Sequence, residues 1–373
     1  MKIQIRTQFY AYSSEAPMFK YLAREWRALG HQVFISNFER NNIPTANKEE
    51  VQRDNADLTS LFYNGDGSDM DVYFDLYDLY NVRVNSKARI KSGIFVWSLL
   101  PITQKHTNLV ASHRSPVIIS GTHVYNDFIK YSSCFNYIGG VDRTIFSSEG
   151  EKIEELSKYD TKFLWIGNAT PAPCPDIVIE AFVKAFRKKD NVVLVMIDSR
   201  GTVGQIADVV DCSNDRPEIK VVSGGISPKK VAAYMRSCTA LTLPVRFHCE
   251  CKPILESMSC GLPVVTTNYA GPADYITKST ITVPFSMAQM QHDLQWMHTR
   301  YGNSIESTAF CLDMQDQTFV WAHNDVEQLK EILRKIHNRE YDLSHMSDEG
   351  IEKAKTMTWR IPAQNIINIL EKI

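Results

Sequence analysis

Residues 241–276 read LTLPVRFHCECKPILESMSCGLPVVTTNYAGPADYI. Leu241, Leu243 and Val245 suit a buried parallel strand, Pro253 the first turn of a helix, Gly261 its C-terminal stop, and Val264 and Val265 the next strand. The order is strand, loop, short helix, strand, loop and helix start, with one carboxylate, Glu256, inside the first helix. Such an order turns a helix start toward strand ends, where open parallel sheets place their ligands.

Outward from this segment the same rhythm continues. Strands are expected at Lys2–Thr7, Gln32–Ser36, Val72–Phe74, Ile94–Trp97 and Val117–Ser120. A helix from Ala16 to Leu29 ends at Gly30 and carries Phe19, Leu22, Ala23 and Trp26 on one face, so it packs on the sheet. The polar stretch Asn41–Asp71, with Asn64-Gly65-Asp66-Gly67, reads as irregular surface connection, including the Asp69 and Asp71 pair. After the charged segment Ser147–Thr161 the pattern restarts: strand Phe163–Ile166, helix Asp176–Arg187, strands Val192–Ile197 and Val221–Val222, helix Pro228–Ser237 and strand Ala240–Val245. The chain is therefore α/β, without an internal repeat.

A chain of 373 residues is comfortable as two cores, and its net charge of −2 gives no electrostatic footprint for nucleic acid. No apolar run of about 18 residues and no signal-peptide pattern is visible. Eight scattered cysteines suit a reducing compartment better than a disulfide framework, so a cytoplasmic location is expected. His248, Cys249 and Cys251 are metal-binding residue types, but the CxC spacing lacks a second ligand pair, and packing around a tight loop is the simpler reading. No metal is assigned.

PILESMSCGLPVV and the downstream NYAGPADYI resemble the donor-site signature of the retaining family-4 glycosyltransferases. Further landmarks lie in family order: the N-terminal MKIQIRTQFYAYSSEAPMFKYLAREWRALGHQVFI, GIFVWSLLP at 93–101, GGVDRTIFS at 139–147, FLWIGNATPAPCPDIVIEAF at 163–182, FVWAHNDVEQLKEILRKI at 319–336 and the closing TMTWRIPAQNIINILEKI. The resemblance implies a GT-B fold, two Rossmann-like domains facing across a central cleft, with a C-terminal helix crossing back to the first. The expected division is 1–155 (acceptor side), 156–357 (nucleotide-sugar side) and 358–373 (the returning helix).

It further implies sugar transfer from a nucleotide-sugar, UDP- or GDP-linked, to a hydroxyl acceptor with retention of configuration, by hexosyl or pentosyl transfer, with no bound cofactor. Glu256 matches the second glutamate of the family's pair, which accepts the ribose hydroxyls. The first glutamate falls on His248, leaving His248 or Glu250 to act on the donor sugar. The arginine and lysine that the family places after its first nucleotide-domain strand are replaced by Asn168 and the neighbourhood of Pro173. Arg246 and Lys252 are then candidate phosphate ligands or simply solvated loop charges, and Pro253, Ile254, Gly271 and Asn168 complete the donor set. On the acceptor side stand Ser13 and Ser14, one of which can be a helix cap, and Ser98, where the family has an acid. His123 is the preferred acceptor-orienting histidine over His106 and His113. Two alternatives stay open: a DNA-base glycosyltransferase of the same fold, and an inactive nucleotide-sugar-binding protein.

Overall fold

A computed structural model describes the chain except for residues 11–14, 39–47, 78–85, 96–101, 103–107, 109–116, 131–133, 199–202, 204–214 and 290–319. The expected Ser13, Ser14, Ser98, His106 and His113 lie outside the described residues. Two compact units emerge, one built from Met1–Trp97, Ile102–Asp142 and Met357–Ile373, the other chiefly from Arg143–Thr356.

The first unit contains β1 (Lys2–Thr7), α1 (Glu15–Ala28), β2 (Gln32–Asn37), α2 (Lys48–Asp54), α3 (Ala56–Thr59), β3 (Val72–Tyr77), β4 (Ile90–Phe95), β5 (Val117–Ser120), α4 (Thr122–Phe128) and β6 (Phe135–Tyr137). Its sheet runs β2-β1-β3-β4-β5-β6 with every pairing parallel. The apolar face of α1 is buried as its spacing predicts: Phe19, Leu22, Ala23 and Trp26 are all but inaccessible.

The second unit contains β7 (Thr161–Gly167), α5 (Pro175–Ala185), β8 (Val192–Asp198), β9 (Glu218–Ser223), α6 (Pro228–Ser237), β10 (Ala240–Leu243), α7 (Lys252–Ser259), β11 (Val264–Thr266), β12 (Ile281–Thr282), β13 (Phe285–Gln289), β14 (Val320–Asn324), α8 (Val326–His337) and α9 (Leu343–Thr356). Its parallel sheet has the order β12-β11-β10-β7-β8-β9, and β13 and β14 form a separate antiparallel pair. Every residue of β8 is buried, as a central parallel strand requires.

The C-terminal helix α10 (Arg360–Leu370) belongs to the first unit, as the resemblance implied. Trp26 Nε1 donates to the Ala363 carbonyl at 3.0 Å, and Trp359 stacks on Tyr21 at 5.0 Å. A local reason for the close approach is Gly140, where a Cβ would lie 2.4 Å from the Trp359 backbone nitrogen.

Two expectations need correction. The stretch Asn41–Asp71 is not wholly irregular, because it holds α2 and α3. Neither helix announces itself: α2 buries nothing and α3 is anchored by Leu58 alone, so no apolar periodicity marks them. The strand expected from Ile94 instead starts at Ile90, since pairing with β3 carries Lys91, Ser92 and Gly93 despite their weak strand preference. Among the described residues no helix is long and apolar enough to cross a membrane.

Candidate functional site

In the second unit the chain moves from β7 outward to β8 and β9, then returns to place β10 on the other side of β7. That reversal is a topological switch point, and the loops leaving β7 and β10 part there to open a crevice at the strands' carboxyl ends. The β7 loop, NATPAPC at 168–174, leads to α5, and the β10 loop, PVRFHCEC at 244–251, leads to α7. Each helix is preceded by a cysteine in left-handed conformation, Cys174 at φ 48° and Cys251 at φ 55°, and has a proline in its first turn.

Arg246 is not placed to hold a ligand phosphate. Its guanidinium, 1 % exposed, grips the fully buried Asp176 of α5 through two hydrogen bonds of 3.0 and 2.8 Å and also donates to Pro171 O at 2.9 Å. The Arg246 backbone joins Ala172 O and Ala322 N, and the Trp321 ring lies 5.2 Å from the guanidinium. This residue stitches the β7 loop, the β10 loop and β14 together. A buried carboxylate at a helix start needs such a partner, and a bidentate guanidinium is the best available. Asn324 adds a second clasp, with Nδ2 donating to Val245 O and Oδ1 accepting from Thr267 Oγ1.

Glu256 sits on α7, half-buried, among Ile254, Leu255 and Met258. Burial pushes its carboxyl up to about 7, with Lys252 opposing and Glu250 reinforcing the rise. Glu250 is 7 % exposed; its Oε2 lies 3.3 Å from Lys252 Nζ, while Oε1 has no hydrogen-bond partner among the described residues. Lys252, itself only 13 % exposed at the side chain, is thus paired with a buried acid rather than being a solvated loop charge.

His248 Nδ1 accepts from the Cys251 amide at 2.9 Å, which leaves the proton of a neutral ring on Nε2. Its carbonyl accepts from the Gly271 amide at 2.8 Å. That second bond engages the Gly271 amide within the loop. Glycine is needed at 271 for a different reason: a Cβ would stand 2.5 Å from Cys249 O. The Ala273 amide is likewise engaged, with Ala270 O, and Ile254 N–H with Cys251 O. Pro253 has no amide hydrogen, and the Ile254 side chain is wholly buried, so neither presents a polar group to the crevice.

Asn168 is exposed directly after β7. His123 lies in the first turn of α4, half-buried, in the first unit. The structure therefore gathers Glu256, Glu250, Lys252, His248, Pro253, Ile254, Gly271 and Arg246 around the β10 loop and α7. Nothing in the sequence marks Asp176 as the partner of Arg246, since the two are 70 residues apart and Asp176 reads locally as a helix-start acid. Among the described residues no group of three His, Cys, Asp or Glu side chains is arranged to hold a metal ion. A separate polar depression, lined by Glu155, Lys158, Tyr159, Glu218 and Lys220, involves the opposite, amino ends of β7 and β9.

Ala270, beside Gly271, has φ 56° and ψ −142°, backbone that glycine adopts far more readily than alanine. Ala270→Gly is expected to raise unit stability by about 1 kcal/mol, the relieved strain exceeding the added chain entropy. A urea melt of the two proteins decides it, and an unchanged or lowered midpoint counts against stored strain at this position.

Comparison with known proteins places these features. Residues 148–295 match the family model described as Glycosyl transferases group 1. No curated protein matches the chain. Among solved structures, a glycosyltransferase from Rickettsia africae superposes with TM-score 0.69 at 11 % identity, covering 100 % of this chain and 97 % of its own. Sucrose-phosphate synthase from Thermosynechococcus elongatus gives 0.66 at 9 % identity, covering 100 % and 98 %. Alr3699/HepE of Anabaena, solved with UDP and glucose, gives 0.58 at 12 % identity, covering 96 % and 100 %. The fold is GT-B, as these whole-chain neighbours show, and residues 148–295 carry the match to glycosyl transferases group 1.

Proposed function

We propose that the protein transfers a sugar from a nucleotide-sugar donor, with UDP as the first nucleotide to test and GDP as the second, to a hydroxyl acceptor with retention of configuration. The carrying observation is Glu256: a half-buried carboxylate on the helix that follows β10, at the topological switch point of the second unit. In this reading Glu256 accepts the two ribose hydroxyls, the β7 loop including Asn168 borders the diphosphate, and His248 Nε2–H and Glu250 face the transferred sugar. Support comes from the group 1 match over 148–295 and from the Anabaena neighbour solved with UDP and glucose. In this reading His123, in the first unit, orients the acceptor hydroxyl.

Retention follows if a leaving-phosphate oxygen takes the acceptor proton on the face from which it departs, so the protein needs no hydrolase-like pair of carboxylates. His248 and backbone dipoles would then stabilise the developing charge. The free thiols at Cys134, Cys174, Cys238, Cys249, Cys251 and Cys260 favour action in the reducing cytoplasm.

A melting screen with UDP, GDP and ADP, followed by mass spectrometry of acceptors incubated with the matching nucleotide-sugars, tests the proposal. Stabilisation by one nucleoside diphosphate and a mass gain of one sugar residue are expected. Folded protein that is stabilised by none of them would refute the donor assignment. The basic-residue-free NATPAPC loop favours a second reading, a nucleotide-sugar-binding protein without transfer; tight donor binding with no turnover across the acceptor panel would select it.

A further inference from the structure

The first unit has a switch point of its own. From β1 the chain runs outward to β2 and then returns to place β3 on the other side of β1, so the loops leaving β1 and β3 part at the carboxyl ends of these strands. Ile3 and Ile5 of β1, with Val72 and Phe74 of β3, point into the core that also holds Trp26 and Ala363. Alternation therefore puts Arg6, the penultimate residue of β1, on the opposite face, together with Tyr73 and Asp75 of β3.

There Arg6 Nη1 donates to Oδ2 of the buried Asp75 at 2.9 Å, and the Tyr73 hydroxyl donates to the same oxygen at 3.4 Å. The centre of the Phe38 ring lies 4.0 Å from the guanidinium carbon. Carboxylate and ring together fix the plane and the direction of the guanidinium. Its Nε–H and Nη2–H donate to nothing among the described residues, and the side chain is 35 % exposed. The contrast with Arg246 lies in what is left over. Arg246 commits both terminal nitrogens to Asp176 and is shut away from water. Arg6 commits one and keeps the Nε/Nη2 edge, two parallel N–H groups whose fork matches a carboxylate or a phosphate.

We propose that this open edge of Arg6 binds an anionic group, carboxylate or phosphate, carried by the sugar acceptor, so that acidic acceptors are selected over neutral ones of the same skeleton. The proposal rests on the glycosyl-transfer reading above and adds to it the charge class of the acceptor. Asp75 is a positioning residue. It holds the Nη1 side, away from the open edge, and water at the exposed side of the guanidinium screens it from an incoming anion.

Matched compounds provide the test: glucose against glucuronate and glucose 6-phosphate, and glycerol against glycerate and glycerol 3-phosphate. Each is titrated calorimetrically into the full-length protein with UDP or GDP present, and each is offered as acceptor with the matching nucleotide-sugars. The charged members of a series should bind, or show a KM, about 10- to 100-fold more favourably than the neutral one. Whether carboxylate or phosphate gains more identifies the group. Arg6→Met combined with Asp75→Asn removes both charges without leaving a buried carboxylate unpaired. This double variant should bring the preference near unity and leave nucleotide affinity unchanged, whereas Arg6→Lys, which keeps the charge but not the fork, should retain part of it. Native circular dichroism checks the fold of both. Equal binding of charged and neutral members, a preference undiminished in the folded double variant, or no binding of any member beside a bound nucleotide overturns the proposal and leaves the donor assignment standing. Failure of every nucleotide to bind removes both.

Discussion

Replacing Arg246 with methionine is expected to lower the stability of the second unit by about 3–5 kcal/mol, because Asp176 would remain as a buried carboxylate with no cation. Asp176 is fully inaccessible and its two oxygens are bonded to the guanidinium at 3.0 and 2.8 Å, so water cannot replace the partner without opening the loop. The reciprocal change, Asp176→Ala, leaves a buried guanidinium and should be of similar size. Removing both charges together, as in Asp176→Leu with Arg246→Met, should recover most of the loss, since an apolar pair of similar volume does not have to be desolvated. Urea unfolding followed by tryptophan fluorescence is suited to the measurement, with Trp321 5.2 Å from the guanidinium. A loss below about 1 kcal/mol, the range of a surface pair, would show that the ion pair does not hold the loops.

Glu256→Gln is expected to act in opposite directions on binding and on stability. The folded protein raises the carboxyl from 4.5 to about 7, chiefly by burial. An acid whose folded value lies above its unfolded value favours the native state while both forms are protonated; that advantage is lost as pH rises from about 4.5 through about 7. Above that window the ionised side chain is a standing penalty, about 1–3 kcal/mol once its residual exposure is discounted. Glutamine has no such penalty, so the variant should match the wild type near pH 4.5 and exceed it in stability at pH 8.

Nucleotide affinity should behave the other way. Two ribose hydroxyls donating to a carboxylate contribute about 1.5–3 kcal/mol, so the variant should bind UDP about 10- to 100-fold more weakly. Wild-type affinity should strengthen as pH rises through about 7 and the carboxylate forms, whereas the variant's should stay flat. Stability traded against binding at one residue is the signature of a functional acid. A variant that binds UDP as well as the wild type would remove Glu256 from the donor site.

Periodicity alone was enough to identify α1 and its buried face, β1, β5 and the alternation of strands and helices, because each of these elements buries a contiguous apolar set that recurs at its own period. It was not enough for β6, β12, β13 or α2, which are short or expose most of their side chains. The strand–loop–helix at 240–259 was legible from local preferences instead: Leu241 and Leu243 suit a buried strand, Pro253 a helix start and Gly261 a helix stop.

The order of residues in 241–276 by itself determined that a carboxylate would ride on a short helix after a parallel strand, since backbone preferences and burial act within a few residues. Which charges remain for a ligand was decided only by tertiary structure. Arg246 and Lys252 look alike in the sequence, as cations flanking one loop, yet folding brings Asp176 to the first and Glu250 to the second. Electrostatic pairing depends on distance in space and on exclusion of water, and neither is written in the spacing of residues along the chain.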